Sequence, residues 1–216
     1  MAKELHKEIL ELKKEVINMG RLSLEMLGNS MKALTKKDVE LANKVIEGKD
    51  KIRRFDFDIE AKALRLIALY QPMAIDLRRS AAILKIITYL TRIGRYGKDI
   101  ASVVEELSKS PYPAPIVNLQ HMWEHVEIMV EDTLKAFEEE DIKFIRDFEE
   151  RDNEVDEMRW SIFRECITFM IEDPRVITSG AFFTMIARFL ERTGDNACKI
   201  AEKVYYMVTG KHIEIT

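Results

Sequence analysis

The chain has 216 residues, with 34 Lys plus Arg against 38 Asp plus Glu, and so a formal net charge of −4. A mildly acidic chain without a basic block is poorly suited to gripping DNA or RNA through phosphates, and no nucleic-acid partner is expected. At 47% hydrophobic and 33% charged residues it is too apolar for disorder and too charged for a membrane span. Its longest uncharged run is too short to cross a bilayer. The stretch Met1-Ala2-Lys3-Glu4-Leu5 has no apolar core and no cleavage site, so no signal peptide is expected. Cys166 and Cys198 are the only cysteines, and two free thiols in a reducing cytoplasm are the expectation.

Eight glycines and five prolines are about half the usual ~7% and ~5%. Few breakers among many Leu, Ile, Glu, Lys and Met residues predict an all-α protein. Helix one is expected from about Lys3 to Leu34, on an apolar seam of Leu5, Ile9, Leu12, Val16, Met19, Leu22 and Met26. Asp38 is a candidate N-cap for helix two, which runs to about Tyr70 before Pro72 stops it. Helix three is expected from Ala74–Asp76 to about Lys109. Its seam is Ile83, Ile87, Leu90, Gly94, Gly97, Ala101 and Val104, with small residues where a neighbour could approach.

Ser110-Pro111-Tyr112-Pro113-Ala114-Pro115 holds three of the five prolines and reads as a linker at 110–115. The second half repeats the plan: helix four from Val117 to Glu138, helix five from Asp141 to Glu172, and helix six from Ile177 to Thr209, with Gly210 as C-terminal cap. Met31-Lys32-Ala33-Leu34 before Asp38 matches Leu134-Lys135-Ala136-Phe137 before Asp141. Leu90-Thr91-Arg92-Ile93-Gly94-Arg95 matches Leu190-Glu191-Arg192-Thr193-Gly194-Asp195. The prediction is two tandem three-helix bundles, 1–109 and 116–216, six long helices in all.

Four carboxylates stand out in the second copy. Asp152 and Asp156 lie one turn apart on helix five, and Glu191 and Asp195 one turn apart on helix six. If the two helices are antiparallel neighbours, each pair lies roughly 17 to 22 residues from the break at Pro174 and at nearly the same height, given about 1.5 Å per residue. Four such charges repel unless a cation neutralises them, and oxygen donors suit Fe, Mn, Mg, Ca or Zn. Spacing alone equally allows four solvated positions on an exposed face.

These motifs are similar to those of the PhoU family of phosphate-uptake regulators, and the likeness runs over nearly the full length. Gln71-Pro72-Met73-Ala74-Ile75-Asp76-Leu77-Arg78 resembles the family's first-repeat signature. Glu191-Arg192-Thr193-Gly194-Asp195 resembles its E-x-x-x-D metal motif, departing at Thr193, where the family usually has an aliphatic residue. The resemblance implies two three-helix bundles related by a pseudo-twofold and iron or zinc held by the acids on the bundle surface. It also implies docking of a cytoplasmic regulator on a phosphate ABC transporter (its ATPase subunit) and, in bacteria, on a sensor kinase. Association with the membrane would then be peripheral, through the transporter, and a homodimer stays open.

Residue by residue, Asp152, Asp156, Glu191 and Asp195 match the family acids. Aligning Ile52 with Val155 and Leu90 with Leu190 puts Lys49, Arg53, Thr91 and Arg95 at the equivalent first-copy positions. Three bases and a neutral residue remove the ligands and add positive charge, so metal is expected in the second copy only. Lys199 stands where the family often has Asn and would weaken the site, with Glu202 nearby to offset it. Lys49, Arg53 and Arg95 are expected either in salt bridges with Asp50, Asp56 or Asp99, or as an anion site for phosphate or a partner's carboxylate.

His121-Met122-Trp123-Glu124-His125 fits the H-x-x-E-H pattern of some zinc proteases, but nothing else in the chain supports a peptidase. No Glu stands three residues before any histidine, against a ferritin-like di-iron oxidase. The expectation is a non-enzymatic regulator. The alternatives are a metal-dependent phosphohydrolase using the same acids and a metal-free adaptor.

Overall fold

In the computed structural model, which describes residues 2–112 and 116–215, the chain is helical and no strand occurs among the described residues. The helices are α1 (Ala2–Lys36), α2 (Val39–Glu47), α3 (Lys49–Tyr70), α4 (Ala74–Ala101), α5 (Val104–Ser108), α6 (Ile116–Glu139), α7 (Phe148–Glu172) and α8 (Ile177–Thr209). Short 3-10 turns at Ile142–Ile145 and Pro174–Val176 precede α7 and α8. The fold is two tandem three-helix bundles. The linker residues Pro113, Ala114 and Pro115 lie outside the described residues; Ser110 is a bend, and Pro111 and Tyr112 lie outside any helix.

Three of the expected helices are interrupted, each for a local reason. The expected helix two breaks at Gly48, whose N–H donates to Val45 O at 3.1 Å, three residues back rather than four. Glycine is a poor helix former, and here its missing side chain leaves room for Met26, whose Cε and Sδ would lie 3.3 Å from a Cβ. The expected helix three ends at Ala101. The Ser102 hydroxyl donates to Asp99 O at 2.7 Å, competing with the helix ladder, and α5 resumes two residues later. The expected helix five starts at Phe148 instead of Asp141. The Asp141 side chain accepts from the Lys143 N–H at 2.9 Å, only two residues ahead, and this tight turn starts a 3-10 segment. By contrast Asp38 accepts from Leu41, three residues ahead, and caps α2 as expected.

The repeat extends to backbone detail. Lys37 and Glu140, one residue before the two caps, both take the left-handed conformation at φ 54°. The next N–H reaches back five residues each time, Asp38 to Ala33 O at 2.9 Å and Asp141 to Ala136 O at 3.1 Å.

Equivalent helices also meet each other. α4 packs along α8, and α1 along α6, while α3 and α7 lie outside against their own copy. Like-on-like contact is what a twofold relation produces. Across α4 and α8 the Tyr96 and Phe189 rings stack at 5.7 Å. Across α1 and α6 a Cβ on Gly20 would lie 2.4 Å from Leu134 Cδ2, so only glycine permits this approach without moving Leu134. The ends are tied by ions. Glu140 takes Arg79 in a two-pronged pair at 2.9 and 2.7 Å and Lys13 at 2.6 Å. Arg79 also donates to Asp76 at 2.8 Å, which is the structural work of the Gln71–Arg78 signature and its next residue.

Candidate metal centre and its first-copy counterpart

A Cβ on Gly194 of α8 would lie 3.5 Å from Val155 Cγ1 and 3.6 Å from Asp152 Oδ1 of α7. The first copy has the same contact, with a Cβ on Gly94 of α4 lying 3.1 Å from Ile52 Cγ1 of α3. Small residues on the inner helix let Val155 and Ile52, both 1% exposed, act as knobs that set the register of the outer helices. That register places Asp152 and Asp156 beside Glu191 and Asp195.

The acids respond to this crowding. Burial pushes the carboxyls of Asp152, Glu191 and Asp195 above their ordinary range. The charge of Asp195 pushes Asp152 and Glu191 further up, and that of Asp156 adds to all three. Counterweights are close at hand. Arg188 pairs with Glu191, and Arg192 Nη1 lies 3.6 Å from Asp195 Oδ2. Burial, and then the nearby charge of Asp152, pushes the Cys198 thiol far up, so Cys198 stays protonated. Lys199 is held by Glu202 at 2.6 Å, and Glu202 also accepts the Ile215 N–H at 3.2 Å. The C-terminal tail is thereby laid against the site. A hollow of about 450 Å³ is bordered by Asp152, Asp195, Cys198, Lys199 and Ile215, but not by Asp156 or Glu191.

As the side chains stand, no three Asp, Glu, His or Cys side chains among the described residues converge on one point where an ion could sit. Glu191 leans to Arg188 and Asp195 toward Arg192. The donor chemistry nevertheless fits a hard cation. Glu191 is 7% exposed and its Oε2 is buried without a hydrogen-bond partner, and the charges of Asp195 and Asp156 add to the upward push of burial on its carboxyl. Arg188 and Arg192 escaped the sequence reading, although each stands three residues before its acid, a spacing at which helical side chains meet. The Ile215 contact had no signal in the sequence.

The first-copy positions also gather. Lys49, Arg53, Thr91 and Arg95 line one hollow of about 320 Å³. Of the expected salt bridges only Arg53 with Asp50 forms, at 3.1 Å, and both partners are exposed. Asp99 pairs with Lys98 at 3.0 Å instead. The H-x-x-E-H histidines stack edge-on at 4.9 Å on α6, with His125 Nδ1 3.6 Å from Glu154. They belong to no group of three or more potential metal ligands among the described residues. Both cysteines are free and buried, and among the described residues no helix is long and apolar enough to cross a membrane.

A doubled three-helix bundle, with equivalent inner helices packed on each other and carboxylates facing across one outer and one inner helix, defines an all-α tandem-bundle class of protein. The model of the PhoU domain matches the chain twice, over residues 16–104 and 119–204. The chain belongs to the PhoU family. It is 38% identical over 211 residues to a phosphate-specific transport system accessory protein PhoU homolog of Aquifex aeolicus, covering 98% of this chain and 96% of that one. It is 34% identical over 211 residues to the phosphate-specific transport system accessory protein PhoU of Serratia marcescens, covering 97% and 86%. The crystal structure of PhoU from Pseudomonas aeruginosa superposes with a TM-score of 0.91 at 32% identity, over 95% of this chain and 99% of that one.

Proposed function

We propose that this protein is a non-enzymatic regulator of phosphate uptake. It docks on the cytoplasmic face of a phosphate ABC transporter, through its ATPase subunit, and couples to a sensor kinase. The observation that carries the reading is likeness over the whole length, in both copies, to proteins named as phosphate transport accessories. Docking of a two-faced helix bundle is a steric act and needs no turnover. Asp152, Asp156, Glu191 and Asp195 would hold iron or zinc, an ion that supplies positive charge and cross-links α7 to α8. What these residues do themselves is gather partly offset negative charge on the α7–α8 surface, where a partner or ion can neutralise the remainder.

Two experiments test this reading. Deleting the gene and measuring phosphate uptake in phosphate-replete cells should show uptake no longer restrained, with restraint restored by the wild-type chain. Unchanged uptake would reject the regulator. Elemental analysis of chain purified without chelator or nickel should give at least one Fe or Zn per chain, lost in E191A/D195A. A metal-free result after reconstitution would favour the adaptor reading. That second reading rests on Arg188, Arg192 and Lys199, which already offset much of the acid charge. A phosphohydrolase would instead show phosphoester turnover that E191A abolishes.

A further inference from the structure

Glu191 Oε2 has a counterpart. Among the described residues the buried side-chain polar atoms without a hydrogen-bond partner are Glu191 Oε2 and Thr91 Oγ1. Thr91 occupies in α4 the position that Glu191 occupies in α8, three residues before Gly94 and Gly194 in turn. The two copies thus place an unsatisfied polar atom at the same position of their inner helices and surround it with side chains of opposite charge. In the second copy the unsatisfied atom is an acceptor among acids. In the first it is a hydroxyl, which can donate, among Lys49, Arg53 and Arg95.

The bases are poorly compensated. Lys49 and Arg95 have no carboxylate within salt-bridge distance among the described residues, and Arg53 has only the exposed Asp50. An exposed pair of this kind contributes little and yields readily to a stronger anion. Two guanidinium groups present flat forks of N–H donors that match a phosphoryl group in a way an ammonium cannot. The hollow's about 320 Å³ lies within the range of small-molecule sites, ~300–1,000 Å³. Ile52 floors it, and Phe57, 59% exposed, stands at its edge as an apolar wall. Asp56 also borders it. Burial pushes the Asp56 carboxyl up, and the neighbouring Thr91 hydroxyl pulls it down without reaching good hydrogen-bond geometry. A carboxyl there accepts a hydrogen bond from a protonated phosphate oxygen and repels a fully ionised one.

We infer that the first-copy recess is a phosphoryl-binding site, in which Lys49, Arg53 and Arg95 hold the oxyanion and Thr91 donates its hydroxyl. The occupant is inorganic phosphate or the phosphate of an ester whose organic body lies on Phe57. The inference does not depend on docking to a transporter or on metal in the second copy.

Titration calorimetry on the full chain, prepared free of phosphate and in excess chelator, tests it. Inorganic phosphate should bind saturably at one equivalent, with a dissociation constant at or below about 1 mM. K49A/R53A/R95A should weaken binding at least about tenfold, and R53K/R95K, which keeps the charge but not the forks, should weaken it severalfold. E191A/D195A should bind as the wild type. Phenyl phosphate binding more tightly than phosphate, with the gain lost in F57A, would identify an ester as the occupant. Equal affinities would identify the free ion. All three bases are on the surface, so circular dichroism should show an unchanged fold; the single variant R95Q gives the same reading if the triple variant is unstable. No saturation by about 10 mM of either ligand would overturn the inference. So would wild-type affinity in the triple variant and in R95Q, equal affinity in R53K/R95K, or loss of binding in E191A/D195A.

Discussion

At the scale of single residues, Glu140 shows how a charge stabilises this fold. Burial alone would raise its carboxyl. Hydrogen bonds from Arg79 and then Lys13, with their charges, bring it below its ordinary value of 4.5. A carboxyl lowered by folding contributes stability above its unfolded pKa and loses it as pH falls through the folded value. Glu140→Gln should therefore cost about 1–3 kcal/mol at pH 7. The gap from wild type should close as the pH is taken below about 4.5, as followed by urea denaturation at several pH values. A gap independent of pH would show that packing, not charge, is what Glu140 supplies. Little of this was visible beforehand. Asp76 could be read as a first-turn acid, but the Arg79–Glu140–Lys13 link joins residues 61 and 127 positions apart. No local pattern reports contacts that distant.

At the scale of elements, the inner helices depend on how close their glycines let a neighbour come. A Cβ on Gly97 would lie 2.8 Å from Leu27 N and 2.9 Å from Met26 C, both backbone atoms that can yield only if α1 and α4 separate. Gly97→Ala should destabilise by about 1–3 kcal/mol or more. Gly194→Ala meets Val155 and Asp152 only at ordinary contact distance, 3.5 and 3.6 Å. With helix propensity in its favour, it should be neutral or stabilising by up to about 1 kcal/mol. Melting temperatures of the two variants decide the point, and equal losses would refute the distinction. Gly97 lies on the seam that the spacing of threes and fours marks out, and Gly194 is the repeat equivalent of Gly94 on that seam. Which of them touches backbone and which touches side chains depends on the distance between helix axes, and the sequence does not carry that distance. The breaks at Gly48 and Ser102 belong here too. The residues that cause them are visible, but a lone glycine or serine is common inside unbroken helices.

At the scale of the whole molecule, α4 carries two buried stripes. Ile83, Ile87, Leu90, Gly94, Gly97 and Ala101 form one; the Leu90 carbonyl accepts from Ser23 of α1 at 3.0 Å, and Gly94 meets Ile52 of α3. Ile86, Ile93 and Ile100, each 0% exposed, form another, and α4 packs along α8 of the second copy. A first copy alone would leave apolar surface of this helix in water, at about 25 cal/mol per Å². A chain of residues 1–112 should therefore fail to give a folded monomer, and should unfold or pair with itself through α4. Gel filtration with circular dichroism checks this, and a helical, cooperatively melting monomer would refute it. The full chain should melt in one transition, because the cores of the two copies are continuous.

The sequence by itself determined the all-helical class, the order of the six long helical stretches, the doubling and the identity of the four acids and three bases, because these rest on periodicity within about 30 residues and on letter-by-letter repetition. The tertiary structure decided the rest. It brought α7 to the height at which Asp152 meets Gly194, turned Arg188 and Arg192 onto the acids, and tied the tail to Glu202. It also left Thr91 Oγ1 and Glu191 Oε2 as matched unsatisfied atoms among side chains of opposite charge. The two arginine pairs lie within α8 and the tail contact is made by non-helical chain, but the meeting of Asp152 with Gly194 and the burial of Thr91 and Glu191 depend on how far apart two helices lie and how they are rotated. Packing of side chains distant in sequence sets those quantities, and no window of local sequence contains them.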